Sequence, residues 1–282
     1  MSELLVCAAR STQGQTPIVQ VTPESAGWTY IGFEVYRLKA GEKVTVSTAD
    51  KETAVIVLEG KCDVTVGQHQ FPAVGSRDSV FSELPPEFVY CPPGQPVSFQ
   101  ASVAAEVAVA TSVADEGVGE ARHVRAEEIA FERRGEGSTT RMIHHLLDEH
   151  HPAKKLLLVE VVTPAGNWSS YPPHKHDEEI PSQESYLEET YYYRIDPPHG
   201  QALQRVYDKQ DLNAVLTPSD GDVVLVPKGY HPVASPPGFT TYYLNVMAGH
   251  GRVWKYTIDE DYRHIAPKDG NIMGTVEHGA KR

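Results

Sequence analysis

Gly166-Asn167-Trp168-Ser169-Ser170-Tyr171-Pro172-Pro173-His174-Lys175-His176 is the stretch on which the reading of this chain turns. Two histidines one residue apart carry information only on extended backbone, where side chains at i and i+2 share a face. His174 and His176 then stand side by side, with Cα atoms about 6–7 Å apart. A helix would send them to different faces. Pro172 and Pro173 oppose a helix, because proline pushes the residue before it into the extended region. The stretch reads as a loop entering a strand, its histidine pair aimed inward as metal ligands.

Downstream lies an acidic insertion, Asp177 to Leu187, and then Glu188-Glu189-Thr190-Tyr191-Tyr192-Tyr193-Arg194. This aromatic run favours a strand and is predicted to pair back on the histidine strand as a hairpin. Gly221-Asp222-Val223-Val224-Leu225-Val226-Pro227-Lys228-Gly229-Tyr230-His231 follows, a buried-type strand whose Pro-x-Gly turn delivers a third histidine. Two histidines, a glutamate and a later histidine resemble the cupin metal signature. More closely, WSSYPPHKHD, EETYYYR and PKGYH resemble the 5-deoxy-glucuronate isomerase family of inositol catabolism, which is related to the 4-deoxy-5-keto-uronate isomerases of pectin breakdown. The signature spans roughly residues 160–250. Outside it the resemblance rests on length and a two-domain layout.

The resemblance implies an all-β protein of two tandem cupin (jelly-roll) barrels. It implies a metal-dependent aldose–ketose isomerase, an intramolecular oxidoreductase converting 5-deoxy-D-glucuronate to 5-dehydro-2-deoxy-D-gluconate in myo-inositol catabolism. A 4-deoxy-5-keto-uronate isomerase, an iron-dependent cupin oxygenase and a non-catalytic sugar-acid binder are the alternatives. His174, His176, Glu189 and His231 are the expected metal set. Three imidazoles and a carboxylate suit a divalent ion, Zn²⁺ first, with Mn²⁺, Fe²⁺ and Ni²⁺ open. Glu189 stands thirteen residues past His176, farther than cupin spacing usually allows, so Glu178, Glu179, Glu184 and Glu188 are rivals. The related isomerases favour Glu189, since they place their ligand just before an aromatic strand. Strand alternation then puts Tyr191 and Tyr193 on the ligand face, with Glu188, Tyr192 and Arg194 opposite. The same parity turns Lys175 away from the metal, toward solvent. Nearness alone makes Glu179, Tyr191 and Tyr193 the candidate catalytic groups.

Composition agrees with an all-β chain: 21 prolines and 22 glycines among 282 residues punctuate short apolar runs. No window reaches the roughly 18–20 apolar residues of a membrane span, and Met1 to Cys7 lacks a signal-peptide layout. Cys7, Cys62 and Cys91 are odd in number and scattered, so no disulfide framework is expected. These features predict a cytoplasmic protein. A net charge of −13 argues against a nucleic-acid partner. It also means that a small anionic sugar acid, the expected partner molecule, must find local positive charge from a metal, Arg or Lys.

Residues 1–27 read as an extended arm. From Trp28 onward short strands recur, including a pair about the turn Glu59-Gly60 and the segment Phe88 to Gly94. Cys91-Pro92-Pro93-Gly94-Gln95-Pro96 sits in this series where the Pro-x-Gly turn of His231 sits later. Pro96 replaces the histidine, and Thr45-Val46-Ser47 stands where a His-x-His would be needed. The inference is an internal repeat: residues 1–132 form an N-terminal barrel without a metal site, and residues 133–282 a C-terminal barrel with one. The first barrel then serves packing or a dimer surface, and a homo-oligomer is expected. Residues 115–140 read as the linker. His144-His145 and His150-His151 are adjacent pairs whose members face opposite ways in a strand, so they are not expected to bind metal. His69, His123, His199, His250, His264 and His278 lack partner spacing. Trp254, Tyr256 and Tyr262 give the tail aromatic surface to pack across a barrel or a partner.

Overall fold

In the computed structural model nearly every regular element is a strand. The structure describes residues 3–48, 50–114 and 118–266, and the backbone of the strand Val276–Glu277. Asp115 to Gly117 of the expected linker, and His278, lie outside the described residues. Among the described residues the one α-helix is Pro23–Ala26, capped by Thr22 and closed by Gly27.

The chain divides into two units. One comprises Ala8–Ile129 and Leu147–Leu157. Its larger sheet runs in the order Arg122–Val124, Glu87–Cys91, Lys51–Glu59, Ala105–Val113, Ile31–Leu38, Val19–Val21. Its smaller sheet is Lys43–Val46, Val97–Ala101, Cys62–Val66, His69–Val74. Alternate residues of both sheets meet in one core: Val55 and Val57, Val107 and Val109 from the first, Val64 and Val66, Val97 and Phe99 from the second. Each such buried side chain contributes about 1.5–3 kcal/mol, and Phe99→Ala would cost about 3–5 kcal/mol. The chain changes sheets at Glu59-Gly60. Gly60 has φ 83°, and a Cβ there would lie 2.2 Å from the Ala104 carbonyl oxygen, so only glycine fits. This interior is apolar, with Val97 and Phe99 packed just past Pro96.

The other unit takes Ala130–Leu146, the chain from Leu158 onward, and the N-terminal segment through Cys7. Its eight-stranded sheet has the order Leu5–Val6, Val223–Val226, Leu187–Asp196, Thr240–Gly249, Leu157–Thr163, Arg141–Leu147, Ala130–Arg134, Val276–Glu277. A four-stranded sheet (Trp168–Ser169, Val233–Ala234, Leu203–Tyr207, Asn213–Leu216) and the two-stranded pair His174–Lys175 with Thr257–Ile258 complete it.

Four expectations need revision. The aromatic run does not form a hairpin with the histidine strand. Leu187–Asp196 pairs with Val223–Val226 on one side and Thr240–Gly249 on the other, while His174–Lys175 pairs with Thr257–Ile258. Residues 187–193 are all buried, and a strand buried on both faces belongs in the middle of a sheet. Residues 1–27 are not a bare arm, since Leu5–Val6 pairs with Val223 and Val224, and Val19–Val21 with Phe33 to Val35. The 115–140 segment is not mainly linker, because Arg122–Val124 and Ala130–Arg134 are sheet strands. Finally, the units are not separated by a single cut at 132/133. The first strand crosses to the later unit by pairing, and Leu147–Leu157 returns to the earlier one, where Glu52 accepts the backbone N–H groups of Lys154, Lys155 and Leu156 at 2.6–2.7 Å.

Candidate metal centre

Two turns bring the histidines together. Trp168–Ser169 is held by Val233–Ala234, and the chain then bends at Ser170 (φ 48°) before entering the histidine strand. A non-glycine residue in that region costs about 1–2 kcal/mol, and Ser170 carries a side chain that the cavity uses. The second turn is Pro227-Lys228-Gly229. Gly229 has φ 83°, and a Cβ on it would lie 2.4 Å from the Tyr207 carbonyl oxygen. Its N–H donates to Asp177 Oδ2 at 2.6 Å. The residue after His176 is thereby tied to the turn that presents His231.

Lys175 does turn away from the histidines, but it is not solvated. Its Nζ lies 2.6 Å from Asp177 Oδ1 and 2.9 Å from Glu184 Oε1. Glu184 also accepts the N–H groups of Asp177 and Glu178, each at 3.0 Å. These bonds close the insertion on itself and explain how twelve residues can lie between His176 and Glu189 without displacing either.

Each imidazole is oriented by a backbone carbonyl. Nδ1 of His174 meets Pro172 O at 3.2 Å, that of His176 meets Leu187 O at 3.1 Å, and that of His231 meets Gly229 O at 2.9 Å. A carbonyl oxygen only accepts, so each Nδ1 carries a proton, which leaves the lone pair of a neutral imidazole on Nε2. At His176 the Glu189 carboxylate meets Nε2 as an acceptor and favours the doubly protonated ring. Glu189 Oε2 lies 3.1 Å from His176 Nε2 and 3.2 Å from His231 Nε2. The second approach lacks hydrogen-bond geometry, and His231 Nε2 is a buried nitrogen without a hydrogen-bond partner. Ligand atoms of His176, Glu189 and His231 all lie within 4.8 Å of one another, a grouping able to hold one metal ion. An unpartnered, lone-pair-bearing nitrogen facing a carboxylate is what a bound cation would satisfy, so the donor set fits a divalent metal. His174 stands beside this group rather than within it, its ring 5.0 Å from that of His231 and 6.3 Å from that of His176.

Electrostatics bear on the same point. Burial alone would raise the Glu189 carboxyl, yet His231 and His176 outweigh it and hold the pKa at about 2. Burial opposes charge on His176, but the neighbouring Glu189 carboxylate raises its pKa overall. His174 moves the other way, pushed well down by burial and then by His231 and His176.

A narrow cavity opens onto His174 and Glu189, with Tyr191, Ser170, Tyr243, Trp254, Arg134 and Arg141 in its walls. Tyr191 Oη lies 3.0 Å from Ser170 Oγ, and Tyr243 Oη 3.4 Å from the same atom. Burial, reinforced by Glu189, raises the Tyr191 pKa well above its usual value. Tyr193 stacks on Tyr191 with ring centroids 6.2 Å apart, but its hydroxyl donates to Gln204 Oε1 at 2.8 Å. Glu179 is not brought to the cavity. Its Oε2 accepts the Tyr186 N–H at 3.1 Å, and the side chain is half exposed. The tail packs onto the centre, Tyr256 at 4.6 Å and Trp254 at 6.3 Å from the His174 ring. His144 and His145 point to separate partners, Glu160 at 2.7 Å and Glu132 at 2.9 Å.

Sequence reasoning missed both arginines: Arg134 falls in the segment that reads as linker, and Arg141 opens the next strand with no motif around it. One signal was present: in Ala130-Phe131-Glu132-Arg133-Arg134, alternation places Glu132 and Arg134 on one face. Arg134 donates to Glu132 through Nε at 2.6 Å and Nη2 at 2.7 Å. Burial and the nearby Arg134 lower the Arg141 pKa to about 10.

One double-sheet unit with an apolar interior and a second that gathers a His-x-His pair, a glutamate and a later histidine define a two-barrel cupin. The fold is shared with an oxalate decarboxylase of Bacillus subtilis, at TM-score 0.64 and 14% identity over 94% of this chain and 82% of that one. The family is narrower: the chain belongs to the KduI/IolB family, whose profile matches residues 4–265. It is 46% identical over 266 residues to a protein named 5-deoxy-glucuronate isomerase from Geobacillus thermodenitrificans, covering 94% of this chain and 96% of that one. A protein of the same name from Bacillus subtilis (strain 168) is 39% identical over 256 residues, covering 90% and 94%. The crystal structure of an IolB-like protein from Salmonella typhimurium LT2 superposes with TM-score 0.90 at 40% identity, covering 93% and 98%.

Proposed function

We propose that this protein is a metal-dependent aldose–ketose isomerase, acting in the cytoplasm on a small sugar acid. Its reaction is the conversion of 5-deoxy-D-glucuronate to 5-dehydro-2-deoxy-D-gluconate in inositol catabolism. The observation that carries the reading is the buried His176–Glu189–His231 cluster, in a chain of this family. His176, Glu189 and His231 would hold the ion, and His174, whose ring lies beside them, is the candidate for a further ligand. A divalent ion there (Zn²⁺, Mn²⁺, Fe²⁺ or Ni²⁺) supplies Lewis acidity to the adjoining carbonyl and hydroxyl oxygens of a hydroxy-aldehyde.

The chain's own groups bind and orient the substrate. The hydrogen that leaves C2 passes through a base or directly to C1, two routes that an isotope label distinguishes. The reaction moves a proton from C2 to C1 and a second proton from the C2 hydroxyl to the C1 oxygen, with no net redox change. Tyr191 keeps its proton, because burial and Glu189 raise its pKa. It therefore acts as a hydrogen-bond donor toward a substrate oxygen rather than as a base at neutral pH. Ser170, within reach of both Tyr191 and Tyr243, relays that bond. Tyr193, committed to Gln204, positions Tyr191 by stacking.

The test is turnover of 5-deoxy-D-glucuronate in D₂O by protein loaded with each divalent ion in turn. The ketose should form without oxygen uptake and carry deuterium on the new hydroxymethyl carbon, the C1 of the substrate. Full retention of a C2 deuterium label in the product would overturn the base-mediated route. Absence of ketose with every metal would overturn the isomerase reading.

A further inference from the structure

A protein of net charge −13 that takes an anion needs a local, uncommitted cation. Arg134 is committed, since its fork is matched by the fully buried Glu132 carboxylate. Arg141 is not. It begins the strand Arg141–Leu147, is 7% exposed, and lines the same cavity as His174, Glu189 and Tyr191. Of the five N–H donors of a guanidinium, one is used: Nη1 donates to the Thr139 carbonyl at 2.9 Å. No carboxylate among the described residues lies within 4.0 Å of it. A buried guanidinium left without a counter-charge is costly, and a ligand that supplies the charge removes that cost.

We propose that Arg141 is the seat of the substrate's carboxylate, clamping the acid end of a short uronate while the hydroxy-aldehyde end lies at the His176–Glu189–His231 cluster. The planar fork suits two parallel N–H···O bonds to one carboxylate, which the ammonium of lysine does not reproduce. Arg134 stands close enough to lower the Arg141 pKa, and its pairing with Glu132 keeps the two guanidiniums from competing for the same anion. With burial and Arg134 together holding that pKa near 10, Arg141 is still charged at neutral pH. The ligand class follows: a sugar acid, in preference to the neutral sugar of the same length. The reaction at the other end rests on the isomerase reading; the recognition of an acid does not.

Two measurements on the full-length, metal-loaded protein test this. In the first, wild type, Arg141→Gln and Arg141→Lys are assayed on 5-deoxy-D-glucuronate and on its neutral analogue 5-deoxy-D-glucose. Arg141→Gln should lower kcat/KM for the acid roughly 100-fold or more, chiefly through KM, leave the neutral analogue unaffected and retain its metal. Arg141→Lys should recover part of the loss. In the second, calorimetry with D-glucuronate and D-glucose as probes should show the acid binding wild type more tightly, and that preference vanishing in Arg141→Gln. Equal losses on both substrates, or an unchanged preference for the acid in the variant, would overturn the assignment. If wild type isomerises neither substrate, the isomerase reading fails, and the binding preference alone decides the role of Arg141.

Discussion

Glu189→Gln tests the metal centre most directly, because it removes a charge while conserving volume. Glu189 is 1% exposed, and one of its oxygens approaches two imidazole nitrogens at 3.1 and 3.2 Å. Removing one member of a fully buried charged contact costs about 2–5 kcal/mol, or roughly 30- to 5,000-fold in the Kd for metal. Thermal unfolding with and without metal reads this out. Metal at one hundred times the wild-type Kd stabilises the native state by about 2.7 kcal/mol. The unit that holds it has about 150 residues, so its Tm should rise by about 5–10 °C. At the same metal concentration the variant should gain about 3 °C or less. Without metal it should unfold somewhat below wild type, since the amide loses the charged contact with His176, so the metal-induced shift of each protein, rather than its absolute Tm, is the readout. A metal-induced shift as large as that of wild type would refute Glu189 as a ligand. Glu178→Gln should leave the shift unchanged, its side chain being largely exposed.

His231→Ala should abolish bound metal with the far-ultraviolet circular dichroism of a β-protein intact. His174→Ala, outside the tight three-residue grouping, should lose less, and metal analysis of the purified variants ranks the two. Glu132 makes stability depend on acid: burial would raise its pKa, but His145 and Arg134 outweigh burial and bring it to about 2 from an ordinary 4.5. Its contribution, on the order of 2 kcal/mol, is complete above about pH 4.5 and lost as pH falls toward 2, so urea midpoints should drop across that window and drop less in Glu132→Gln. Cys62 and Cys91 are buried and their thiols are pushed up to about 12 by burial, whereas Cys7 is exposed. A thiol reagent at pH 8 should therefore titrate one group in the native protein and three in denaturant.

The histidines of the candidate metal cluster were legible because each depends on local structure. His174 and His176 need only an extended backbone, and His231 needs only the turn that Gly229 permits. The partner of the aromatic strand was not legible, because pairing is decided by burial on both faces of Leu187–Asp196, which alternation within the segment does not reveal. Lys175 was read correctly in direction and wrongly in environment: parity gives the face of a strand, and only the fold of the insertion brings Asp177 and Glu184 to it. Glu179 looked near because it is near in sequence. The loop that reconnects His176 to Leu187 turns its carboxylate back onto Tyr186 instead. Arg134 and Arg141 escaped for the opposite reason, since their neighbours in the cavity lie dozens of residues downstream.

The pairing of Leu5–Val6 with Val223 and Val224 has a consequence at the margin of the eight-stranded sheet. Val223–Val226 is short, apolar and fully buried, and without those first residues its outer row of backbone groups would face water. An unprotected, apolar strand margin is a template on which a second chain can dock. A chain lacking residues 1–8 should thus self-associate in proportion to its concentration, even if each copy still folds.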